Sequence, residues 1–438
     1  MEQEYHRLEA NIDHENTNKE YAPPASAHII GLDSWQQVGL MLVTSLNCGY
    51  VLSFSNLMLV PLGWKWGITC LLVVGFYSAY ANWLLASFHY INGQRFIRYR
   101  DLMGYVYGEK MYYITWVLQF MVLTLGNMGF ILFGGEALKE VNSILSDHPF
   151  RLQYFIIISG LGFFMFAFFI PTMSAMRAWI RASTVITFSY TIILLVLMIK
   201  EVMRYPEAKL GRCSMALVQF QPLLLVTLLV CYQRYSYIFQ STLREPAVKN
   251  MRKAIGLQYS LGLVFYYGVS IVGYWAYGSE VSEYLPKELK GPNWIKVLIN
   301  LAVFLQTIVS QHMYVTPIHE TLDTNFLQLE ESIHSKENIK RRIFLRFAFF
   351  AGNTFVVTAL PFMGNFVNLF GSLALIPVTF VFPSMIFLKV KGKTSRIENN
   401  MWHCFNAVLF SLLAVVSTIS ALRLIVNNVR QYHFFADS

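Results

Sequence analysis

Asn47-Cys48-Gly49-Tyr50-Val51-Leu52-Ser53-Phe54-Ser55-Asn56 is a run of small and polar residues set inside an apolar stretch from 35 to 60. A helix needs about 20 apolar residues to cross the hydrocarbon of a bilayer, and the flanks of this run supply them while its centre does not. Ser53, Ser55 and Asn56 are good N-cap residues, so the helix is expected to stop near Asn47 and restart after Ser53. A restarted half-helix presents unpaired backbone N–H groups and the positive end of a dipole, a seat for a carboxylate. Unwound backbone is tolerated at such depth only where it is buried in protein or lines a cavity. Tyr232-Gln233-Arg234-Tyr235-Ser236 interrupts a second apolar stretch, 216 to 240, in the same way.

The rest of the chain repeats the apolar theme without the breaks. Of its 438 residues 55% are hydrophobic and only 13% charged, and the mean hydropathy is +0.45; soluble domains carry about 25% charge. Eleven spans are expected, at 35–60, 66–88, 112–135, 152–170, 182–199, 216–240, 255–275, 295–317, 343–361, 366–388 and 402–422. The fold class is therefore an all-α polytopic membrane protein. Breaks in spans one and six, five spans apart, match a 5+5 inverted repeat with discontinuous helices 1 and 6, followed by an eleventh helix. Close helix packing at Ser, Gly and Asn is the competing explanation of either break alone.

Most of the 34 Lys and Arg fall on the side of the N-terminus, including Arg95, Arg98 and Arg100 after span two and Lys340, Arg341, Arg342 and Arg346 around the start of span nine. Basic residues near span ends resist translocation, which places the N-terminus in the cytosol and the C-terminus outside. The net charge of +9 is thus a membrane signature, and no nucleic-acid partner is expected. Residues 1–28 read as a disordered cytosolic tail, 29–427 as the transporter domain and 428–438 as a short extracellular tail. The loop from 319 to 342 carries Leu322, Phe326, Leu329 and Ile333 at helical spacing, which suits a helix lying on the membrane surface. The five cysteines (Cys48, Cys70, Cys213, Cys231, Cys404) have the spacing of neither a disulfide framework nor a zinc site. No metal, cofactor or catalytic residue is expected: there is no metalloprotease or nucleophile motif and no aspartate pair within a span.

Arg234 is the one cation expected at mid-depth; such a charge usually faces a cavity or a partner, although a long side chain also reaches toward the interface. A guanidinium there suits a carboxylate bidentately. Asn47, Tyr50, Ser53, Phe54, Ser55, Asn127, Arg234, Tyr235 and Ser236 form the candidate substrate site, the aromatic rings being suited to an ammonium by cation–π attraction. Gln306 is a weaker polar candidate. No acid is expected well inside a span, so His312 in span eight is the candidate proton-coupling group, a hydrogen-bonded structural histidine being the plainer reading.

Val60-Pro61-Leu62-Gly63-Trp64, Arg98 through Leu102, Pro246 through Met251, Gly273 through Ser279, Gly291-Pro292 with Trp294, His312 and the tail His433 through Asp437 resemble the plant proline and glycine-betaine transporters of the amino acid and auxin permease family. The resemblance covers nearly all the chain after the N-terminal tail. It implies a plasma-membrane carrier that imports proline, betaine or a related zwitterionic solute by proton symport, with the lipid bilayer as its medium. The chain departs from that family's pattern in the breaks. Ile238 stands where a glutamate is expected, Tyr237 for a proline, Arg234 for a glycine, Ser45, Ser53 and Asn56 for glycines and Asn365 for an aspartate. Two other readings follow from those departures: a uniporter or exchanger in which Arg234 replaces the coupling ion, and a non-transporting, receptor-like relative on the same scaffold.

Overall fold

The computed structural model describes residues 33–47, 50–53, 59–60, 62–171, 175–204, 243–278, 284–328, 330–332, 335–360 and 369–428, without the side chains of Tyr50, Ser53 and Asn428. In chain order these form α1 (Trp35–Leu46), the single turn α2 (Tyr50–Ser53) and α3 (Gly63–Ser87), then the hairpin β1 (Tyr90–Ile91) and β2 (Gln94–Arg95). Next come α4 (Tyr99–Tyr107), α5 (Glu109–Leu145), α6 (Leu152–Phe169) and α7 (Arg177–Arg204). The second half holds α8 (Ala247–Tyr277), α9 (Asn293–Phe326), α10 (Lys336–Ala359), α11 (Gly371–Val390) and α12 (Ile397–Asn428). Among the described residues nine helices, α3 and α5 to α12, are long and apolar enough to cross a membrane. They stand at the expected positions of spans two to five and seven to eleven; α1 and α2 stand at span one, and span six, 216–240, lies outside the described residues. The protein is an all-α polytopic membrane protein.

Local chemistry sets where the helices start and stop. Ser34 caps α1 through a reciprocal box: the Gln37 N–H donates to Ser34 Oγ at 3.3 Å and the Ser34 N–H to Gln37 Oε1 at 3.0 Å. Gly108, at φ +90, makes the corner between α4 and α5 in a region that favours glycine. Ser335 caps α10 by accepting from the Asn338 N–H at 3.2 Å. Large apolar side chains such as Phe76, Phe344 and Phe355 lie exposed on the outer helix faces, as lipid contact requires.

Packing follows the expected repeat. Exchanging each span with the one five positions along maps α5 onto α9 and α6 onto α10, and each of these pairs is in contact. The contact of α10 with α5 has its image in that of α9 with α6. Likewise α7 packs on α8 and α9, and α11 packs on α3 and α5.

Three expectations are corrected. The chain is helical over Tyr50–Ser53, ahead of the restart expected after Ser53, with Val51 and Leu52 buried in the packing; residues 54–58 lie outside the described residues. The surface helix expected over 319–342 does not form: residues 319–326 continue α9, and Leu329 and Ile333 lie outside the described residues. The cause is the third correction. Asp323 is an acid buried within a membrane helix, and Arg346 Nη1 and Nη2 donate to its two oxygens at 3.0 and 2.7 Å, both residues being buried. This pair draws the end of α9 against α10.

Candidate functional site

The break in span one is held open by α8. Helix α1 ends at Asn47, whose N–H and Nδ2 both donate to Val43 O at 3.1 Å. Nδ2 also donates to Gly262 O at 3.2 Å, the last residue of a π-helical turn, Gln258–Gly262, in α8. A π-turn shifts the backbone ladder by one residue and leaves a carbonyl for such a bond. A Cβ at Gly262 would meet the end of the Leu46 side chain at 2.8 Å, so glycine lets α1 lie this close without a shift of that side chain. The Tyr190 hydroxyl of α7 donates to Asn47 O at 3.4 Å. Asn47 Oδ1 is buried and has no hydrogen-bond partner among the described residues, which leaves an acceptor at the break. Tyr50 and Ser53 follow on α2, and their side chains, with Phe54 and Ser55, lie outside the described residues. So do Arg234, Tyr235 and Ser236.

A second polar centre lies between α5 and α9. Gln311 Nε2 donates to Asn127 Oδ1 at 2.6 Å, and both side chains are completely buried. The pair retains an unfilled donor, Asn127 Nδ2, and an unfilled acceptor, Gln311 Oε1, among the described residues. Unmade hydrogen bonds of buried groups cost about 1–3 kcal/mol each, so such a pair calls for a polar occupant. The approach of the two helices depends on Gly126, against which the Tyr314 ring lies inside the space of a Cβ. Gly126→Val is therefore expected to overpack the seam, destabilising the protein by about 1–3 kcal/mol; a melting temperature in detergent equal to wild type would contradict it.

His312 is not part of this pair. It lies on another face of α9, its ring 5.4 Å from that of Phe166 in α6 and 6.1 Å from that of His319. The structure therefore brings Asn127 together with Gln311 and His312 together with His319. Neither Gln311 nor His319 is singled out by hydropathy. The signal that finds them is the spacing of polar residues along α9: 300, 307, 311 on one stripe and 312, 316, 319, 323 on another.

At the end of the bundle richer in Lys and Arg, polar contacts join the starts of α1 and α7 and the segment before α8. Arg177 Nη2 lies 2.7 Å from Asp33 Oδ1, just before α1. The Arg244 N–H, just before α8, donates to Asp33 O at 3.1 Å. Arg95 donates to Leu243 O at 2.6 Å and to Glu245 at 3.0 Å, and Tyr90 also donates to Glu245. The Tyr90 hydroxyl, ahead of Arg95, holds the Glu245 carboxyl below its ordinary pKa. Buried His89 accepts from Arg95 Nε at 3.2 Å, so its Nε2 is unprotonated. Burial and then the Arg95 charge lower its pKa from 6.5 to about 4. Between those values the unfolded chain binds the proton and the folded one does not. Stability present above pH 6.5 is therefore lost as the pH falls toward 4, by up to about 3 kcal/mol. His89→Gln, which keeps the acceptor and does not titrate, is expected to melt with a weaker acid dependence over that window; an unchanged dependence would contradict this.

At the opposite end, the Tyr284 hydroxyl donates to Asn300 Oδ1 of α9 and its ring packs on Phe133 of α5 at 5.3 Å. Burial, then the nearby Glu136 and Glu140 carboxylates and Tyr190, raise the Tyr284 pKa. Among the described residues neither polar centre has the geometry of a nucleophile with its base, and no group of His, Cys, Asp and Glu is placed to hold a metal ion.

Similarity to known proteins bears on the family and the fold. The profile of the family described as "Transmembrane amino acid transporter protein" matches residues 31–424. GABA transporter 1 of Arabidopsis thaliana is 26% identical over 92% of this chain and 93% of its own length. Lysine histidine transporter-like 3 of the same plant is 24% identical over 84% of each chain. Among solved structures, MHP1, a nucleobase-cation-symport-1 family transporter, superposes with a TM-score of 0.58 at 13% identity, covering 95% of both chains. The Eremococcus coleocola manganese transporter gives 0.54 at 12% identity over 91% of this chain and 89% of its own. These two likenesses concern the fold.

Proposed function

The chain belongs to the transmembrane amino acid transporter family, and from that premise we propose that it imports a small zwitterion, such as proline, glycine betaine or γ-aminobutyrate, as a proton-coupled secondary transporter of the plasma membrane. Its relatives in that family are transporters and not enzymes. The observation that carries the substrate class is the Asn127–Gln311 pair, which leaves one donor and one acceptor unfilled in a buried setting. A zwitterion has a carboxylate for the first and an ammonium or its methyl groups for the second region of the site. The pair is itself neutral, and the two acids of α9, Glu320 and Asp323, are engaged by Arg98 and Arg346. A substrate with a net positive charge would be buried there without a counter-charge, at a cost of several kcal/mol. Asn47 Oδ1 at the break is a further acceptor for the amine.

Arg234, on the other broken span, is the proposed carboxylate clamp, with Tyr50, Phe54 and Tyr235 beside the amine and Ser53, Ser55 and Ser236 as backbone-end donors. The basic end of the bundle faces the cytosol in this reading. The test is uptake of labelled proline, betaine and γ-aminobutyrate into transport-deficient cells at pH 5.5 and 7.5, with wild type beside Arg234→Ala. Saturable uptake that rises at low pH and falls at least about tenfold in the variant is expected, the loss of a bidentate charge-assisted contact. Uptake unaffected by the substitution would remove Arg234 from the site. Saturable uptake with no pH dependence would favour the uniporter, and absence of saturable uptake by a protein at normal surface density would favour the receptor-like relative.

A further inference from the structure

We propose that His319 is a second proton-binding group of the carrier, sharing one proton with His312 in a buried column that ends on the Asp323–Arg346 pair. The proposal rests on the transporter reading above and adds a place and a route for its coupling proton. The column runs down a single face of α9, at positions 312, 316, 319 and 323. His312 and His319 are fully buried. They are seven residues apart, about 10 Å along a helix axis, yet their ring centroids are 6.1 Å apart, so the rings lean toward one another. The Thr316 hydroxyl between them donates to His312 O at 2.7 Å. Helix α6 faces the column with Phe166, and with Phe168 lower down, while α7 brings Trp179 behind Phe166. Helix α10 faces it with Phe349 and Phe350, 5.7 and 5.8 Å from His319, and with Arg342 and Arg346. Asp323 is the acid on that face of α9.

Two imidazolium ions 6 Å apart repel by about 3 kcal/mol at an effective dielectric constant of 20, so the second proton binds about a hundredfold more weakly than the first. The column therefore holds one positive charge at most. When the proton passes from His312 to His319, the first ring becomes neutral as the second becomes charged, and the total charge is unchanged. On His319 the charge stands one helical turn from Asp323, where it competes with Arg346 for the carboxylate. Because Arg346 is on α10 and Asp323 on α9, proton occupancy at His319 is tied to the packing of those two helices near the basic end. The Arg342 guanidinium, stacked 5.7 Å over Phe168, has two buried nitrogens, Nε and Nη1, without a hydrogen-bond partner among the described residues. It stands ready to follow Asp323 when Arg346 is displaced.

The test is the pH profile of uptake for wild type, His319→Gln, His312→Gln and the double variant in the full-length chain, with surface density measured for each. Wild type is expected to take up substrate severalfold faster at pH 5.5 than at 7.5. Each single variant is expected to flatten that ratio to near one while changing the substrate KM at pH 7.5 by less than about twofold, and the double variant to resemble either single one, as a shared proton requires. A wild-type ratio in His319→Gln would overturn the proposal. Where a variant does not reach the surface, imidazole NMR of purified, histidine-labelled wild-type protein replaces it: two buried rings titrating together between pH 5 and 8 are expected, and two rings that stay neutral to pH 5 would overturn it. Wild type that takes up no zwitterion would end the transporter reading instead, a different outcome from an intact ratio in the variant.

Discussion

Arg346→Met is expected to destabilise the folded protein by about 3–5 kcal/mol, more than any other single substitution on α10, because it leaves the Asp323 carboxylate buried without its bidentate partner. Arg342, whose charge already reaches Asp323, offers a substitute and sets the loss toward the lower end of that range. Arg342→Met in the same chain removes the substitute and is expected to deepen the loss. Asp323→Leu combined with Arg346→Met removes both charges and is expected to recover most of the stability, since an apolar pair has no ionic desolvation cost. The measurement is the melting temperature of the purified protein in detergent. A double variant less stable than Arg346→Met alone would show that the pair is net stabilising beyond mutual neutralisation.

Gln311→Leu is expected to lower uptake efficiency about 10- to 100-fold with little effect on surface density. The substitution removes the acceptor offered to the substrate and leaves Asn127 Oδ1 without its donor, and a hydrogen bond to a charged group contributes about 1.5–3 kcal/mol. Asn127→Leu should have an effect of similar size, and the two together should cost much less than the product, because each already undoes the same pair. Uptake kinetics at pH 5.5 with labelled substrate measure all three. Multiplicative losses would mean that the two amides act independently and that their mutual hydrogen bond does not form the site.

The sequence made the spans legible because hydrocarbon thickness imposes a length and a hydropathy that no soluble helix shares. The break at Asn47 was legible for a related reason: a cluster of capping residues in mid-span has few explanations, and α1 does end at Leu46. What the cluster concealed was the partner. Gly262 lies more than two hundred residues away, and the π-turn that frees its carbonyl leaves no mark in composition.

The end of α9 was hidden by Pro317. A proline near the edge of an apolar window reads as a stop, yet the helix runs through it to Phe326. It does so because residues beyond the proline gain a buried ion pair with α10, a contact that hydropathy counts only as two charges. His319 and Asp323 accordingly fall in the loop expected over 319–342, and Arg346 near the start of span nine. Gln311 was masked differently. It sits beside His312, the more conspicuous residue, but points to a different neighbour, because adjacent positions on a helix are separated by about 100°.

The most direct measurement of the central claim is equilibrium binding of labelled proline, glycine betaine and γ-aminobutyrate to the purified protein, wild type beside the Asn127→Leu/Gln311→Leu double variant. Saturable binding of at least one zwitterion, displaced by unlabelled zwitterions and not by lysine, and lost in a variant that keeps the wild-type melting temperature, is the predicted result. Saturable binding that survives unchanged in that variant would contradict it, placing the substrate elsewhere in the bundle.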